Sequence, residues 1–450
     1  MQPLTLFMIV TVTILDFLAQ GDKFREWRIL PGSVSYTVEL LGAIALVYVI
    51  MAGVRNRFEF VRAAYWVAFG ALVMVVVGGV IVNGVGSGPI IAGLRAYMRA
   101  LPWFFLPMVF RYSEEQLRTQ LRLLLAICLV QVPIAIRQRI KTGDNRFGFV
   151  AVTGDWTTGT LGDAGILSIF LVCAVCVMVA LYERRQLTLL RLILLFLVVL
   201  IPTTINETKA MVIFLPLALL TAFAYAAPPQ TRNRRLVIGV TLLALFGAIF
   251  VPVYDALNKD RQYGQSIGDF LSKPENIKAY LSGGSDIDVG SAKEAGRIDA
   301  LLVPLKQLAN DPVNLVFGYG IGNASDSSLG QAFSGRYAAT FRPFLQTAFS
   351  KFELEIGLLG GALVLGIYWL IFQDCRVVAR SSGALHGALA AGWTGVVALM
   401  TLATFYTKIE VFPSLGFLFW YFSGVIAAER MHLSLRSRTN LAAKIKEKRS

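Results

Sequence analysis

The sequence predicts an all-α, polytopic membrane protein of about twelve transmembrane helices, with one long loop between the ninth and the tenth. Three observations lead there. Hydrophobic residues make up 56% of the 450-residue chain, charged residues 16%, and mean hydropathy is +0.63. A soluble globule cannot bury that much apolar surface behind so few charges. The apolar residues also come in runs of about fifteen to twenty-five, the length of helix that crosses a bilayer. Finally, basic residues concentrate in alternate connections, as orientation in a membrane requires. These features exclude a cytosolic enzyme, a nucleic-acid-binding protein and a disordered chain. The net charge of +14 is therefore read against a membrane.

The expected spans are Pro3–Ala19, Val34–Val54, Ala63–Val82, Ala96–Phe110, Leu117–Ile136, Ala164–Leu181, Leu187–Ile201, Ala210–Ala226, Leu236–Val253, Leu354–Phe372, Ala384–Tyr406 and Val411–Ala428. The fourth is short and interrupted by Pro102 and Pro107, which predicts a kinked or incomplete span. The first lacks a basic leader and a small-residue cleavage site, so it reads as an anchor. The organisation follows: residues 1–254 hold the first nine spans, 255–353 form a large, partly helical outer loop, 354–428 hold the last three spans, and 429–450 form a basic tail.

With the tail cytoplasmic, the inner connections contain Arg55, Arg57, Arg62, Arg111, Arg118, Arg122, Arg184, Arg185, Arg191, Arg232, Arg234, Arg235, Arg376 and Arg380. Together with the seven basic residues of the tail they make 21, against 11 in the short outer loops. Both termini are expected in the cytoplasm, and 255–353 outside it. Within that loop, Ser291–Asn310 is predicted to be helical, because Ile298, Leu301, Leu305 and Leu308 share a face. Arg297 lies at the edge of this face.

Charges placed against this pattern carry the functional information. Arg137-Gln-Arg139-Ile-Lys141 and Arg146 crowd one short outer connection. A solvated loop whose neighbours fix the orientation is the plain reading. A cationic site for an anionic ligand is the functional one, since Arg and Lys make charge-assisted hydrogen bonds to phosphate. Glu207 and Lys209 sit in a short connection with apolar flanks. At a span centre such a residue costs about 2.5–3.5 kcal/mol on insertion scales, and less at the boundary. Ionisable groups kept there face a bundle interior or a wet cavity; a Glu–Lys pair that merely caps the turn is the alternative. Arg336 and Arg342 flank the approach to the tenth span. Glu353 and Glu355 open that span two residues apart, so they do not share a helix face. Gly357 and Gly360 follow and are expected to permit close helix contact. Gly318-Tyr319-Gly320-Ile-Gly322 lacks the Gly-Lys-Ser/Thr of a phosphate loop and reads as a tight turn lining the site.

Metal and redox signals are weak. Cys173-Ala-Val-Cys176 has a ligand-like spacing but lies mid-helix with no second pair. The only histidines, His386 and His432, fall at the inner end of the eleventh span and in the tail, about 30 Å of hydrocarbon from the outer face. No metal site and no cofactor is expected.

The layout of twelve spans with one long late outer loop resembles the O-antigen ligase / O-antigen polymerase superfamily. The motifs that carry the resemblance are short. Arg297 stands in Gly296-Arg-Ile-Asp-Ala-Leu301, followed by Asn310-Asp-Pro312 and Phe317-Gly-Tyr-Gly-Ile-Gly322. The next span opens with Glu355-Ile-Gly357-Leu-Leu-Gly360, similar to the family's Glu-x-Gly-x-x-Gly. Thr208-Lys209-Ala210 is similar to an earlier Ser-Arg-Gly/Ala motif, with Lys in place of Arg. Ligases of the family carry a His-Asn/Ser pair where this chain has Gln346-Thr347, which puts the ligase reaction and its histidine in doubt. The resemblance implies a GT-C-type fold in a bacterial inner membrane. It also implies a polymerase that joins polyprenyl-diphosphate-linked oligosaccharide units into O-antigen, capsule or exopolysaccharide. Membrane lipids, a chain-length regulator and a flippase of the same pathway are the implied partners, with no nucleic acid.

The chemistry needs positive charge to neutralise a departing diphosphate and a base for the acceptor hydroxyl. The outer face shows no carboxylate cluster arranged for a metal, so a metal-independent glycosyltransferase is expected. Arg137, Arg139, Lys141, Lys209, Arg297, Arg336 and Arg342 are the candidates for binding diphosphate and glycan, with Tyr319 and Gln346 beside them. Glu355, Glu353 and Glu207 are the candidates for the base. Two rivals stay open: a ligase-like glycan transferase, and a transporter or flippase of lipid-linked or anionic sugar. A transporter is expected to show repeats and a charged midplane site, and the sequence shows neither.

Overall fold

The structure, a computed structural model, describes residues 1–22, 26–56, 61–142, 156–206, 208–226, 230, 232–258, 267–282 and 295–447. Among them the regular structure is helical throughout, with no strand. The N-terminal rod is α1 (Gln2–Val10), a π turn over Thr11–Leu15, and α2 (Asp16–Gln20). Then come α3 (Thr37–Asn56), α4 (Ala63–Asn83), α5 (Ser87–Met98), α6 (Pro102–Val109), α7 (Glu114–Thr142), α8 (Ala164–Glu183), α9 (Leu189–Ile205), α10 (Met211–Ala226) and α11 (Arg232–Asn258). Short helices follow: α12 (Ile267–Ser272), α13 (Pro274–Ser282), α14 (Asp299–Ala309), α15 (Pro312–Phe317) and α16 (Ala338–Phe341). The chain closes with α17 (Ala348–Ser381), α18 (Ala384–Thr404) and α19 (Pro413–Glu447).

Eight of the described helices are long and apolar enough to cross a membrane: the N-terminal rod, α3, α4, α7, α8, α11, α17 and α18. Helices α9 and α10 are apolar but shorter. The chain is thus an all-helical, multi-pass membrane protein. The expected fourth span is two helices, α5 and α6, separated at residues 99–101. Pro102 starts the second of them, where its missing N–H is harmless. The outer helices present Leu40, Val47, Met51, Val67, Met74, Ile81, Leu190, Leu194, Val237 and Ile249 outward. Apolar exposure of this extent matches hydrocarbon and is foreign to a water-facing surface.

Helix α18 is the axis of the bundle, packed between α8, α10 and α17. Its small residues make that possible. A Cβ on Gly395 would collide with the Ala218 carbonyl of α10, and one on Gly392 would stand 2.8 Å from the Cys176 carbonyl of α8. The four cysteines are free thiols, with Cys128, Cys176 and Cys375 in the core.

The two ends of the bundle differ. At one end Asp374, buried near the end of α17, pairs with Arg62, accepts a hydrogen bond from the Tyr65 hydroxyl at 2.8 Å, and lies 3.9 Å from Arg430. Such a carboxylate is kept only when paired. The other end carries the short helices α14–α16 and the turns that join them.

Candidate functional site

The loop end is built on a break in α17. Gly357 sits inside this helix at φ +69°, a left-handed conformation that divides it into two. The turn after α15 fills the break. Gly318 is also left-handed at φ +67°, and a Cβ there would lie 2.6 Å from the Glu355 carbonyl carbon. A Cβ on Gly357 would run into the Val316 carbonyl. The backbone N–H of Tyr319 donates to the Leu354 carbonyl at 2.7 Å, and Asn83 of α4 donates to the Gly318 carbonyl at 3.0 Å. Gly357 thus permits the close approach of α15 at Val316, as expected of it, and its positive φ also admits the turn that follows. Thr347 and Ser350 form a capping box that starts α17 at Ala348, six residues before the expected span.

This arrangement buries both carboxylates of the helix start. Glu355 is 0% exposed and Glu353 1%. The Ser325 hydroxyl donates to Glu355 Oε1 at 2.5 Å, while Glu353 Oε1 is buried with no hydrogen-bond partner among the described residues. The Tyr97 hydroxyl interacts electrostatically with Glu355. One turn before Glu355, Lys351 Nζ lies 4.0 Å from Glu410 Oε1 and 5.3 Å from the centre of the Tyr97 ring. Burial pushes the Glu410 carboxyl above its ordinary range; Lys351 pulls it back and Glu355 adds to the rise. Arg99 donates to the Val411 carbonyl at 2.8 Å and, with Arg95, pairs with Glu39. Arg95 also holds Ser328 at 2.9 Å. Beneath Tyr97, Arg99 and Glu410 an apolar cavity of about 90 Å³ extends past Phe352, Ile356, Tyr368 and Trp420.

A second polar region surrounds the start of α8. Asp163 caps that helix by accepting from the Ile166 N–H at 3.0 Å. Gln138 and Gln131 of α7 hold the backbone of residues 158–160, which leads into it. Asn206 donates to the Ala164 carbonyl and the Ser168 hydroxyl, which ties the turn carrying Thr208 and Lys209 to the same place. Arg297 stacks over the Tyr406 ring at 4.8 Å, and that ring borders Gly165 of α8. The segment 406–410 connects the two regions: Tyr406 receives Arg297 and Glu410 receives Lys351. Four residues span at most about 14 Å.

The structure thus brings the Lys209 turn, Arg297 and the end of α7 bearing Arg139 to one end of α8. Other predicted residues have different surroundings. Arg137 and Lys141 pair with Glu26, and Arg137 stacks on Trp27 at 4.9 Å. Arg342 is 75% exposed in its side chain and pairs with Asp326 at 2.9 Å. Arg336 is exposed, over Tyr337. Tyr319 stacks on Phe341, and burial raises its hydroxyl pKa. The Gln346 amide donates to the Pro343 carbonyl at 3.1 Å. Glu207 lies outside the described residues. Arg297 does not lie in a helix: α14 begins at Asp299, and Arg297 occupies the turn before it. The backbone before α14 is committed elsewhere: the Ala295 N–H donates to the Pro343 carbonyl at 3.0 Å and the Ile298 N–H to the Leu281 carbonyl at 2.9 Å. The buried face of α14 is Ala300, Pro304 and Leu308, with Ile298 exposed.

Lys351, Glu410, Tyr97, Arg95, Arg99 and Ser325 are the residues that sequence reasoning missed. Lys408-Ile-Glu410 offered a signal, as an ionisable pair in a short apolar connection like Glu207-Thr-Lys209. No protein-family model matches the chain, and no curated protein matches it in sequence.

Proposed function

We propose that the protein is a membrane glycan polymerase that extends a polyprenyl-diphosphate-linked oligosaccharide at the loop end of the bundle, facing the periplasm of a bacterial inner membrane. In this reading twelve segments span, with α5–α6 as a broken span and α9, α10 and α19 among them, in a GT-C-like arrangement, and both termini are cytoplasmic. One observation carries the reading most directly: Arg297 and the Lys209 turn meet at the start of α8, and the 406–410 segment links them to the buried Glu355–Lys351–Glu410 cluster. Cations for a diphosphate and a carboxylate for a hydroxyl then lie within reach of one substrate. The apolar cavity below a charged rim suits a lipid-linked donor.

In the reaction, the acceptor hydroxyl oxygen attacks the anomeric carbon of the donor sugar. The bond from that carbon to the diphosphate oxygen breaks, and its electron pair leaves with the lipid diphosphate. The hydroxyl proton passes to Glu355. Arg297, Lys209 and Arg139 stabilise the charge that grows on the leaving group. Ser325 and Tyr97 orient the carboxylate, and Lys351 with Glu410 holds the helix start in place. The polymerase reading stands ahead of the ligase because both histidines lie at the opposite end.

The test is polymer formation by Arg297→Ala, Arg139→Ala and Lys209→Ala at unchanged protein level. Losing a charge-assisted contact to a buried partner costs about 2–5 kcal/mol, roughly thirty-fold to several-thousand-fold in rate. Normal polymer in all three variants would refute the reading.

A further inference from the structure

We infer that the end of the bundle remote from Glu355 carries a binding pocket for a phosphate group, supplied by an anionic lipid headgroup or by free phosphate. The pocket is a cavity of about 460 Å³ between the α6–α7 turn, the α17–α18 turn and α19. At about 30 Å³ per water it has room for a phosphate with most of its hydration. Arg111, Tyr112, Ser113 and Glu114 line it from the first turn, Ser382, Gly383 and His386 from the second, and Glu429 and Arg436 from α19. His432 lies between these last two on the same helix face, at spacings of three and four residues. Both histidines of the chain therefore belong to one cluster with two arginines.

The pocket already holds an anion from the protein itself. Glu114 Oε1 stands 3.7 Å from His386 Nδ1, and 3.4 Å from where a Cβ on Gly383 would be. Gly383 caps α18 without a side-chain hydrogen bond, so the carboxylate lies beside the positive end of that helix. Glu114 is 54% exposed, and among the described residues its contact with His386 is a loose one, so an outside anion can displace it. Glu429 cannot compete in the same way, because Ser382 holds it at 2.7 Å. Once Glu114 swings out, Arg111, Arg436, His386 and the start of α18 converge on a vacated anion position. Arginine's planar fork suits phosphate.

His432 couples binding to pH. Burial and then Arg111 push it below its ordinary pKa, with Arg436 and His386 adding to the effect and Glu429 opposing it. A phosphate among these cations relieves the repulsion and raises the His432 pKa. By reciprocity, protonation tightens phosphate binding, so affinity rises as pH falls.

The experiment is a histidine titration by NMR on the full-length protein with labelled histidine, in nanodiscs. Two histidines give two signals, assigned with His432→Gln. Four conditions are compared: phosphatidylcholine nanodiscs alone, with inorganic phosphate, with sodium chloride at matched ionic strength, and phosphatidylglycerol nanodiscs without phosphate. Each is repeated in the double variant Arg111→Ala/Arg436→Ala. The expected result is a rise of about one pH unit in the His432 midpoint, a tenfold change in proton affinity, with phosphate or with the anionic lipid but not with chloride. A rise with phosphate identifies free phosphate as a ligand; a rise with the anionic lipid identifies the headgroup. An anionic bilayer raises interfacial pKa values in general, so the effect that counts is the part lost in the double variant. An unchanged His432 midpoint in every condition would overturn the proposal, as would a rise that survives loss of both arginines.

Discussion

Replacing Glu355 by Gln and by Ala separates its chemical role from its structural one. Its Oε1 accepts the Ser325 hydroxyl at 2.5 Å, and the Tyr97 hydroxyl interacts with the same carboxyl group. Glutamine keeps a carbonyl for Ser325 and replaces the other oxygen by an amide of nearly the same size. Its stability should stay within about 1 kcal/mol of wild type. Alanine leaves the Ser325 hydroxyl with no acceptor in a buried site, which costs about 1–3 kcal/mol, plus the cavity. A positioned general base contributes about 10²–10⁴-fold, equivalent to about 3–5 kcal/mol at the transition state. The Gln variant should therefore fold and bind donor yet transfer slowly. The assay is single-turnover transfer from purified lipid-linked units in nanodiscs, with thermal unfolding of the same samples. Near-wild-type turnover by Glu355→Gln would refute the assignment and leave Glu355 as a tie for the 318–326 loop.

Gly357→Ala should detach the turn after α15. The left-handed conformation costs about 1–2 kcal/mol for a residue with a Cβ and the Val316 carbonyl blocks that atom, so proteolysis within 295–347 should accelerate, whereas Gly366→Ala, with open space around it, should not change it. Glu410 gives stability a pH dependence: its folded pKa is raised by burial, so above about 4.3 the folded state holds more protons than the unfolded one. Stability then falls as pH rises through the raised value, and thermal unfolding of Glu410→Gln should lose that decline. Reporter fusions after Arg235 and Arg380 should read cytoplasmic and one after Gly290 periplasmic; a cytoplasmic signal at Gly290 would place the Glu355 region on the wrong side of the membrane.

The helical segments were legible because length and hydropathy act locally. Each apolar run from Pro3–Ala19 to Val411–Ala428 falls on helix in the structure. Pro102 marked the break in the fourth run, since proline acts on its own turn, whereas the break at Gly357 carried no such mark. Glu353 and Glu355 were recognisable as unusual charges in an apolar setting, and both are buried. What escaped was pairing across the chain. Lys351 and Glu410 are far apart in sequence, as are Arg137 and Glu26, or Arg62 and Asp374, and no local pattern announces such partners. The helix before Leu308 starts later than periodicity predicts because Ala295 and Ile298 hydrogen-bond elsewhere in the chain, and the positive φ of Gly357 is demanded only by the folded turn.

Polymerisation of lipid-linked glycan units, the proposed activity, can be read from the glycan left on the lipid carrier when the gene is deleted. Single repeat units, already exposed on the periplasmic leaflet, are expected. Completed polymers remaining on the carrier would indicate a ligase, and units trapped on the cytoplasmic leaflet a flippase; either result would contradict the proposal.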